Sequence, residues 1–317
     1  FLDWSENNLI VDNKADSNAY HGITLEWFSD NNQVTNNSAT GSLIGISLDM
    51  SSDNTISYNN ASLNNIGISL EWTNNNNTII YNTMSYNQYH GLSFHWESND
   101  NLVRNNEIGY NNEYGVYVYE SINNRIYHNE IIYNTIQAFA DAVNIWDNGY
   151  PSGGNYWSDY AGVDLYSGPY QNKTGEDGIG DTPYVISVGN NDRYPLMKPY
   201  TPQRILVYTD KYSYHAGDLM KLGLHVMNLE DALTACVKIW VELPGGSTYV
   251  IFYVHDVTLP AGLDYNDPSF RTFTLPSIAP GIYIWHAALL KPVTHEVIVE
   301  DTAVWEFLSL ASTPSFF

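Results

Sequence analysis

Short runs in which apolar and polar residues alternate recur along the first 140 residues of the chain. Five of them, such as GISL and GVYV, open with a glycine, and a sixth opens with an alanine: Gly22, Gly45, Gly67, Gly91, Gly115 and Ala138. Runs this short, with a period of two, are typical of β-strands that bury one face. The sequence therefore predicts one such strand in each repeat.

Asparagine marks the same repeat, in segments such as NNTIIYN and DNLVRNN. The period is 22 to 24 residues, and each copy carries two asparagines five positions apart. The two columns are Asn8, Asn32, Asn54, Asn77, Asn101 and Asn124, and then Asn13, Asn37, Asn59, Asn82, Asn106 and Asn129. A repeat of this length without helical periodicity predicts a solenoid of about six stacked coils. We interpret it as a right-handed parallel β-helix, the hand following from the rule for parallel connections.

Two apolar stacks are expected inside this solenoid. They are Ile23, Ile46, Ile68, Leu92, Val116 and Phe139, and Leu25, Leu48, Leu70, Phe94 and Val118. Asparagine is expected at the corners, because it tolerates left-handed backbone geometry and its amide can bond to the equivalent amide in the next coil. We therefore interpret both asparagine columns as structural.

The repeat ends near residue 150, and 31 of the 37 asparagines precede residue 151. After Pro199 and Pro202 the pattern changes to strand-like runs such as ACVKIWVEL, separated by Gly, Pro and Asp. Six to eight such strands predict an antiparallel immunoglobulin-like β-sandwich. We expect an all-β chain with a parallel β-helix over 1–150, a capping or connecting segment over 151–200 and the sandwich over 201–317.

The formal net charge of −23 limits what the chain binds. An acidic surface disfavours DNA, RNA and anionic lipid headgroups unless cations bridge the contact, so we expect no nucleic-acid partner. No apolar stretch has the length of a transmembrane helix. The single cysteine, Cys236, excludes an internal disulfide and is expected to be a buried apolar residue. The abrupt start at Phe1, within repeat-like sequence, is what a processed or trimmed product would show.

Three segments within residues 153–199 are long and distinctive: GNYWSDY, DGIGDTPY and RYPLMKP. Together with the asparagine-rich coils they resemble the NosD-like family of β-helix proteins, named for periplasmic copper-accessory proteins and abundant on archaeal cell surfaces. The resemblance covers residues 1 to 200 and implies a parallel β-helix in an extracellular setting. Copper requires clustered imidazole or sulfur ligands, and of nine scattered histidines only His90 and His95 lie close together. The segment TDKYSYHAGD is similar to accessory domains of archaeal surface proteins.

An acidic segment, DGIGD at 177–181, matches the middle of a calcium loop, with two carboxylates, a turn glycine and a carbonyl oxygen between them. Lys173 and Gly175, at the earlier ligand positions of such a loop, offer no side-chain oxygen, so the remaining ligands would come from Asp164, Asn172 or Glu176 if the preceding loop folds back over the ion. The predicted Ca²⁺ ligands are Asp164, Asn172, Asp177, Ile179 through its carbonyl, and Asp181. The alternative is a Gly-Asp turn that caps the last coil.

A column of polar side chains is expected on the outer face, four residues after each landmark glycine: Glu26, Asp49, Glu71, His95 and Tyr119. Like charges ~4.8 Å apart on successive coils are unfavourable unless a cation, a partner or protonation relieves them. The next position carries Trp27, Met50, Trp72 and Trp96. Strand parity predicts that these side chains close the apolar stack. If the rings turned outward instead, acids beside aromatics would form a sugar-binding face, where paired carboxylates could act on a glycosidic bond.

Three N-x-S/T sequons stand one residue beside a column asparagine, at Asn36, Asn60 and Asn76. Their phase predicts that they point outward, where a glycan could be attached.

Two hypotheses of function follow. The first is an extracellular structural protein of the cell surface, in an S-layer, sheath or fibre, which self-assembles through its coil ends, its β-sandwich and the apolar tails FLDW and SFF. The second is a carbohydrate-binding protein, or a polysaccharide hydrolase or lyase, that uses Glu26, Asp49 and Glu71. No acid–base pair stands out within that column, which argues against an enzyme. A third hypothesis is the accessory handling of a metal for another enzyme.

Overall fold

The computed structural model describes residues 1–229 and 231–309, and its regular elements are β-strands. Two compact units result: residues 1–163 with 179–200, and residues 164–178 with 201–317. The segment predicted as a connector, 151–200, is thus divided between them. The tail SFF, predicted to dock into a neighbour, lies outside the described residues. Within the described ranges, no helix is long and apolar enough to cross a membrane.

The first unit is a parallel β-solenoid, as the asparagine repeat predicts. Its strands are β1 (Leu2–Asp3), β2 (Leu9–Val11), β3 (His21–Glu26), β4 (Gln33–Thr35), β5 (Ile44–Asp49), β6 (Thr55–Ser57), β7 (Ile66–Glu71), β8 (Thr78–Ile80), β9 (His90–His95), β10 (Leu102–Arg104), β11 (Glu107–Gly109), β12 (Tyr114–Tyr119), β13 (Arg125–Tyr127), β14 (Glu130–Ile132), β15 (Ile136–Ala140) and β16 (Tyr156–Trp157). After β17 (Tyr166–Ser167) and β18 (Lys173–Thr174), which belong to the second unit, a hairpin of β19 (Tyr184–Ser187) and β20 (Asn190–Asp192) completes the first.

Three parallel sheets run along the solenoid. The largest has the order β1-β3-β5-β7-β9-β12-β15, the second has the order β13-β10-β8-β6-β4-β2, and the third is β11-β14-β16. Single bridges continue the third sheet through earlier coils, from Lys14 through Ser38, Asn60 and Thr83 to Glu107. The third sheet was not predicted from the sequence, because its segments are too short to show an alternating run.

The predicted apolar stacks fill the interior. Both stacks are buried through the first five coils, in residues such as Ile46, Leu48 and Phe94. Gly67 packs so closely that a Cβ there would lie 2.4 Å from the carbonyl oxygen of Gly91 in the next coil. A side chain at this column would push neighbouring coils apart, which explains the recurring glycine.

The predicted register of the sixth strand is wrong by one residue. Ala138, expected at the glycine column, instead pairs with Val116 and continues the inner stack. Phe139, predicted to be in the core, pairs with Tyr117 and stacks on its ring, with centroids 5.2 Å apart. The inner stack therefore ends in alanine, and an aromatic pair lies on the outer face.

The asparagine columns are hydrogen-bonded ladders. Asn82 accepts the backbone N–H of Asn59 in the preceding coil at 2.9 Å. Its amide donates to the carbonyl of Ile56 at 2.9 Å and to the Oδ1 of Asn106 in the next coil at 3.1 Å. Each buried amide thus satisfies backbone groups that the strands leave unpaired where the chain turns.

Left-handed geometry falls on the neighbours of the ladder asparagines rather than on the ladder residues themselves. Asn36 and Asn76 have φ values of 55° and 57°, and Tyr58 and Tyr81 have values of 55° and 57°. The expected reason for asparagine is therefore half correct. The ladder positions require the amide's hydrogen bonds, whereas the adjacent corners also accept tyrosine.

A third asparagine ladder was not predicted. Asn64 accepts from Ser42, and successive N–H groups of Asn64, Asn87 and Asn111 donate to the next amide at 2.9 to 3.0 Å. These residues follow the second column by five positions, so five of the six copies carry three asparagines at equal spacing, and the second copy has Ser42 at the third position. Each of the three corners therefore has its own ladder.

The second asparagine ladder ends in a cap that uses a carboxylate. Asn155 donates its backbone N–H to Asp192 Oδ2 at 2.7 Å, and the indole of Trp157 donates to the same oxygen at 2.8 Å. Tyr194 donates its N–H to the other oxygen at 3.0 Å. Asn155 and Trp157 belong to GNYWSDY, and Tyr194 belongs to RYPLMKP. Two of the segments that carry the family resemblance therefore close the solenoid.

The second unit is a β-sandwich. Besides β17 and β18, its strands are β21 (Gln203–Thr209), β22 (Ser213–Tyr214), β23 (Leu219–Asn228), β24 (Leu233–Glu242), β25 (Thr248–Leu259), β26 (Leu263–Thr274), β27 (Gly281–Leu290) and β28 (Val297–Phe307). The sheets are β21-β23-β26 and β22-β28-β27-β24-β25, largely antiparallel. Leu222 and Trp285, from different sheets, belong to one buried cluster, and Cys236 is buried as predicted. The immunoglobulin-like assignment stays a prediction.

Replacing one ladder amide tests the energetic role of the ladders. Asn82→Ala leaves the N–H of Asn59 and the carbonyl of Ile56 buried without their partner, so we expect the free energy of unfolding to fall by about 3 to 5 kcal/mol. The control is Asn60→Ala at an exposed position, with an expected change within about 0.5 kcal/mol. Urea denaturation measures both, and equal effects would contradict a stabilising ladder.

Titration of the cap provides a second test. Burial raises the pKa of Asp192 to about 7, above its usual value of 3.8, so the folded state favours the protonated form. This contribution to stability is complete below the usual value and is lost as pH rises through 7. The asparagine in Asp192→Asn resembles the protonated carboxyl. This variant should therefore lose the part of the pH dependence of the free energy of unfolding that Asp192 causes, at most about 1.4 kcal/mol per pH unit. Urea denaturation at a series of pH values checks it; identical slopes for the two proteins would refute it.

Candidate functional site

The polar column predicted from the sequence lies in register on the outer face of the largest sheet. Glu26 pairs with Asp49, Asp49 with Glu71, and Glu71 with His95, which pairs in turn with Tyr119. Successive parallel strands place these side chains ~4.8 Å apart along the solenoid axis. The sequence prediction of three stacked acids is thus realised in the structure.

Small hydroxyl side chains lie beside the acids. Thr24, Ser47, Ser69 and Ser93 form one in-register row, two residues before the acidic column. Ser93 donates to Ser69 at 3.0 Å, and Ser69 donates to the carboxylate of Glu71 at 3.1 Å. Because this row is buried, its hydroxyls lie beneath the surface and support the carboxylates from below.

Within the polar column, Asp49 is the acid whose pKa is raised. Burial, reinforced by the charges of Glu26 and Glu71 on either side, raises the pKa of its carboxyl. One of its oxygens, Oδ1, is buried and finds no hydrogen-bond partner among the described residues. The protein thus holds a carboxylate whose negative charge it does not compensate locally.

A histidine and tyrosine cluster follows the acids along the same face. The ring of His90 stacks on Tyr117 with centroids 4.8 Å apart and planes 7° apart, and His95 lies 5.3 Å from the same tyrosine. Burial, with the neighbouring His95, lowers the pKa of His90 to about 4, so its ring is neutral at pH 7. Burial also lowers the pKa of His95, whereas the charge of Glu71 opposes that shift. Sequence reasoning placed His95 in the polar column but missed the stacking of His90 on Tyr117. The signal for it is a histidine or tyrosine directly before the glycine of two successive repeats.

The tryptophans turn outward, contrary to the parity argument. Trp27 and Trp72 are 44% and 48% exposed, and Trp72 stacks on Trp96 with centroids 4.4 Å apart. The parity argument fails because the chain leaves the strand here: φ is 47° at Trp27, 62° at Trp72 and 49° at Trp96. A left-handed residue reverses the side-chain direction that strand alternation would give. An aromatic strip therefore runs beside the carboxylates, with Met50 in its second position.

The face carries no compensating positive side chain. The strands β3, β5, β7, β9 and β12 contain no lysine or arginine, and neither do the four residues that follow each of them. Protonation of His90 and His95 is disfavoured by burial. Chemically, such a surface accepts hydrogen bonds and attracts cations, while its tryptophans offer apolar contact.

The predicted calcium ligands are distributed over both units. In the second unit, Asp164 accepts the N–H groups of Asp177 and Gly178 at 3.1 and 2.7 Å, and Asp177 accepts from Gln171 at 3.1 Å. Burial and the neighbouring Asp177 raise the pKa of Asp164 to about 8. Asn172 is exposed in the same unit.

The other two predicted ligands belong to the first unit. Ile179 is buried and bridges Leu196, and Asp181 donates its N–H to Val163 at 2.8 Å. In the residues 1–229 and 231–309, no group of three or more His, Cys, Asp or Glu side chains is arranged to hold a metal ion. Calcium binding by this segment stays a prediction.

The predicted sequons lie on the surface of the solenoid. Asn36, Asn60 and Asn76 are exposed, beside buried ladder asparagines. The side chain of Asn36 donates to Asp12 in the preceding coil. Their outward direction is as expected from phase, and glycosylation itself stays a prediction.

In the sandwich, two polar contacts were not predicted. The buried imidazole of His225 lies 2.6 Å from Asp264 Oδ1, across β23 and β26. On the five-stranded sheet, the thiol of Cys236 lies 3.6 Å from His255 Nδ1. Neither pair was visible in sequence, because the partners are far apart in the chain and come together only through strand pairing.

Comparison with known structures gives distant likenesses. The periplasmic alginate epimerase AlgG is 21% identical, with a TM-score of 0.40, over 51% of this chain and 36% of that protein. The chain thus spans about a third of that protein's length. A CARDB domain from Pyrococcus furiosus, crystallised with di-metal ions, is 17% identical with a TM-score of 0.24, over 34% of this chain and 89% of that domain. No match was found among curated proteins.

The profile of one family, described as periplasmic copper-binding protein (NosD), matches residues 1–162. Within that range the histidines are His21, His90, His95 and His128, and there is no cysteine. The described residues do not gather these imidazoles into a three-ligand group, so they do not fit a copper site of ordinary composition. The match covers just over half of the chain and agrees with the parallel solenoid and its asparagine ladders. The chain therefore belongs to the NosD family.

Proposed function

We propose that the protein is an extracellular carbohydrate-binding protein, and that a polysaccharide lies along the outer face of the largest sheet. One observation carries the proposal: an exposed tryptophan strip runs parallel to a column of carboxylates that the protein leaves uncompensated. Tryptophan packs against the apolar parts of sugars, and carboxylates accept hydrogen bonds from their hydroxyl groups. The two kinds of contact together are typical of sugar recognition.

The dimensions of the face favour a linear polymer over a small ligand. The same chemistry recurs once per coil, from Glu26 through Asp49 to Glu71, and the buried hydroxyl row of Thr24 and Ser47 repeats beneath it. A chain-like ligand aligned with the solenoid axis meets equivalent groups at each step. A compact ligand would contact the side chains of one coil only.

Stored electrostatic strain also supports a binding role. Neighbouring like charges on Asp49 and its two flanking acids lower the stability of the free protein. Surfaces kept at the expense of stability are typical of functional sites. A catalytic role for Glu26, Asp49 and Glu71, as a hydrolase or lyase, stays a prediction, since the face supports binding without it.

Substitutions within the face test the proposed function. Asp49→Asn combined with Trp72→Ala should weaken binding of a soluble polysaccharide at least about tenfold, because both kinds of contact are lost. The matched control combines Glu107→Gln with Tyr133→Ala, which removes an exposed acid and an exposed aromatic from another face. Binding to a polysaccharide array, followed by calorimetry on the best ligand, measures the effect.

A stability measurement separates loss of binding from loss of folding. Asp49→Asn alone relieves a carboxyl whose pKa is raised, so this variant should be at least as stable as the wild type, increasingly so as pH rises above the ordinary value. A stable variant that no longer binds supports the proposal. Full binding by both the single and the double variant would exclude this face.

The structural hypothesis, assembly into an S-layer, sheath or fibre, stays a prediction with its own test. Negative-stain electron microscopy with millimolar calcium and then with a chelator should show ordered filaments or sheets that depend on calcium. Replacing Asp177 by asparagine should then abolish the dependence. Monodisperse particles under both conditions would contradict assembly by this chain.

A further inference from the structure

The arrangement of acids on the outer face constrains the chemical class of the ligand. Glu26, Asp49 and Glu71 form a row along the axis, one per coil, rather than converging on a point. Among the residues that the structure describes, neither this row nor any other set of three His, Cys, Asp or Glu side chains is arranged to hold a metal ion. A cation that relieves such a row is therefore better supplied by a linear molecule with repeated positive charges than by one metal ion.

Acidic polysaccharides are disfavoured by the same row. A uronate polymer would bring its own carboxylates against those of the protein, and the five strands of the face and the corners after them offer no lysine or arginine to hold them. Burial also disfavours protonation of the nearby imidazoles of His90 and His95. Like charges juxtaposed at an interface are strongly unfavourable.

A ligand that bears amines would be attracted by the carboxylates that repel a uronate polymer. An ammonium group beside Asp49 supplies the positive charge that the protein omits, and its N–H groups can donate to the partly exposed carboxylate. The neighbouring rings of Trp72 and Trp96 attract cations through their π-systems and also contact apolar sugar surface. The acids and the aromatics then act on one ligand for different reasons.

We propose, resting on the carbohydrate-binding function above, that the ligand is a polymer of amino sugars with free amines, bound along the column Glu26, Asp49 and Glu71 with its sugar rings against Trp27, Trp72 and Trp96. The ammonium groups pair with the carboxylates on successive coils. Selectivity comes from the absence of any positive side chain on this face.

The test compares oligomers of one length that differ in charge. The probes are a glucosamine oligomer, its fully N-acetylated form, an oligouronate and an oligolysine, each titrated by calorimetry against the full chain near pH 6, where the amines are charged. The glucosamine oligomer should bind at least about tenfold more tightly than the acetylated one, and added salt should reduce the difference. Oligouronate should not bind.

Variants assign the selectivity to the column. In Asp49→Asn/Glu71→Gln the preference for free amines should fall to within about twofold, while the acetylated oligomer keeps its affinity. Glu107→Gln, which removes a charge from another face, should keep the preference. Because the double variant relieves like-charge repulsion, a thermal transition no lower than that of the wild type shows that it is folded.

Each other outcome has a distinct meaning. Equal affinity for the acetylated and free oligomers overturns the amine proposal and leaves carbohydrate binding intact. Tighter binding of oligouronate overturns it in the same way. Oligolysine bound as tightly as the glucosamine oligomer would mean recognition of charge alone and would also overturn it. If no oligosaccharide binds, the carbohydrate-binding function itself fails.

Discussion

The hydrogen bond from a backbone N–H to the side-chain amide of the next coil is the interaction on which the rest of the structure depends. A solenoid turns its chain three times per coil, and at every corner backbone groups leave the sheet ladders with no room for water. An asparagine such as Asn82 accepts from the preceding coil and donates both to that coil and to the next one, all within 3.1 Å. This rigid stacking fixes the register of the outer face, and only a fixed register can align three carboxylates.

Much of the solenoid follows from the sequence, because one period repeats with little variation. The parallel stacking, the two ladders and the in-register acids were predicted from residue spacing alone. The errors lie where the spacing changes by one residue, as at Phe139, or where a corner interrupts strand alternation, as at Trp72. Parity arguments hold only within a strand, and a single residue with positive φ cancels them.

The candidate site shows the same division between local and non-local information. The acids and tryptophans are visible in sequence, whereas the direction of the rings and the half-buried state of His90 depend on neighbouring coils. In the sandwich, pairs such as His225 and Asp264 join distant segments, so sequence spacing gives no indication of them. Because the sequence repeats along the solenoid, its packing can be predicted from residue spacing. The second unit has no such repeat, so its side-chain contacts cannot be predicted in this way.

Where the second ladder would continue with another asparagine, the chain has Asp192, and this has a consequence for the length of the solenoid. A ladder amide such as Asn82 accepts from one coil and donates to the next, whereas the two oxygens of Asp192 accept N–H groups from Asn155, Trp157 and Tyr194. The carboxylate thus acts as a terminator that is independent of how many coils precede it. Gain or loss of a whole repeat would change the number of positions in the polar column while leaving Asp192 and its three donors unaltered, so the length of the outer face can change without a change of fold.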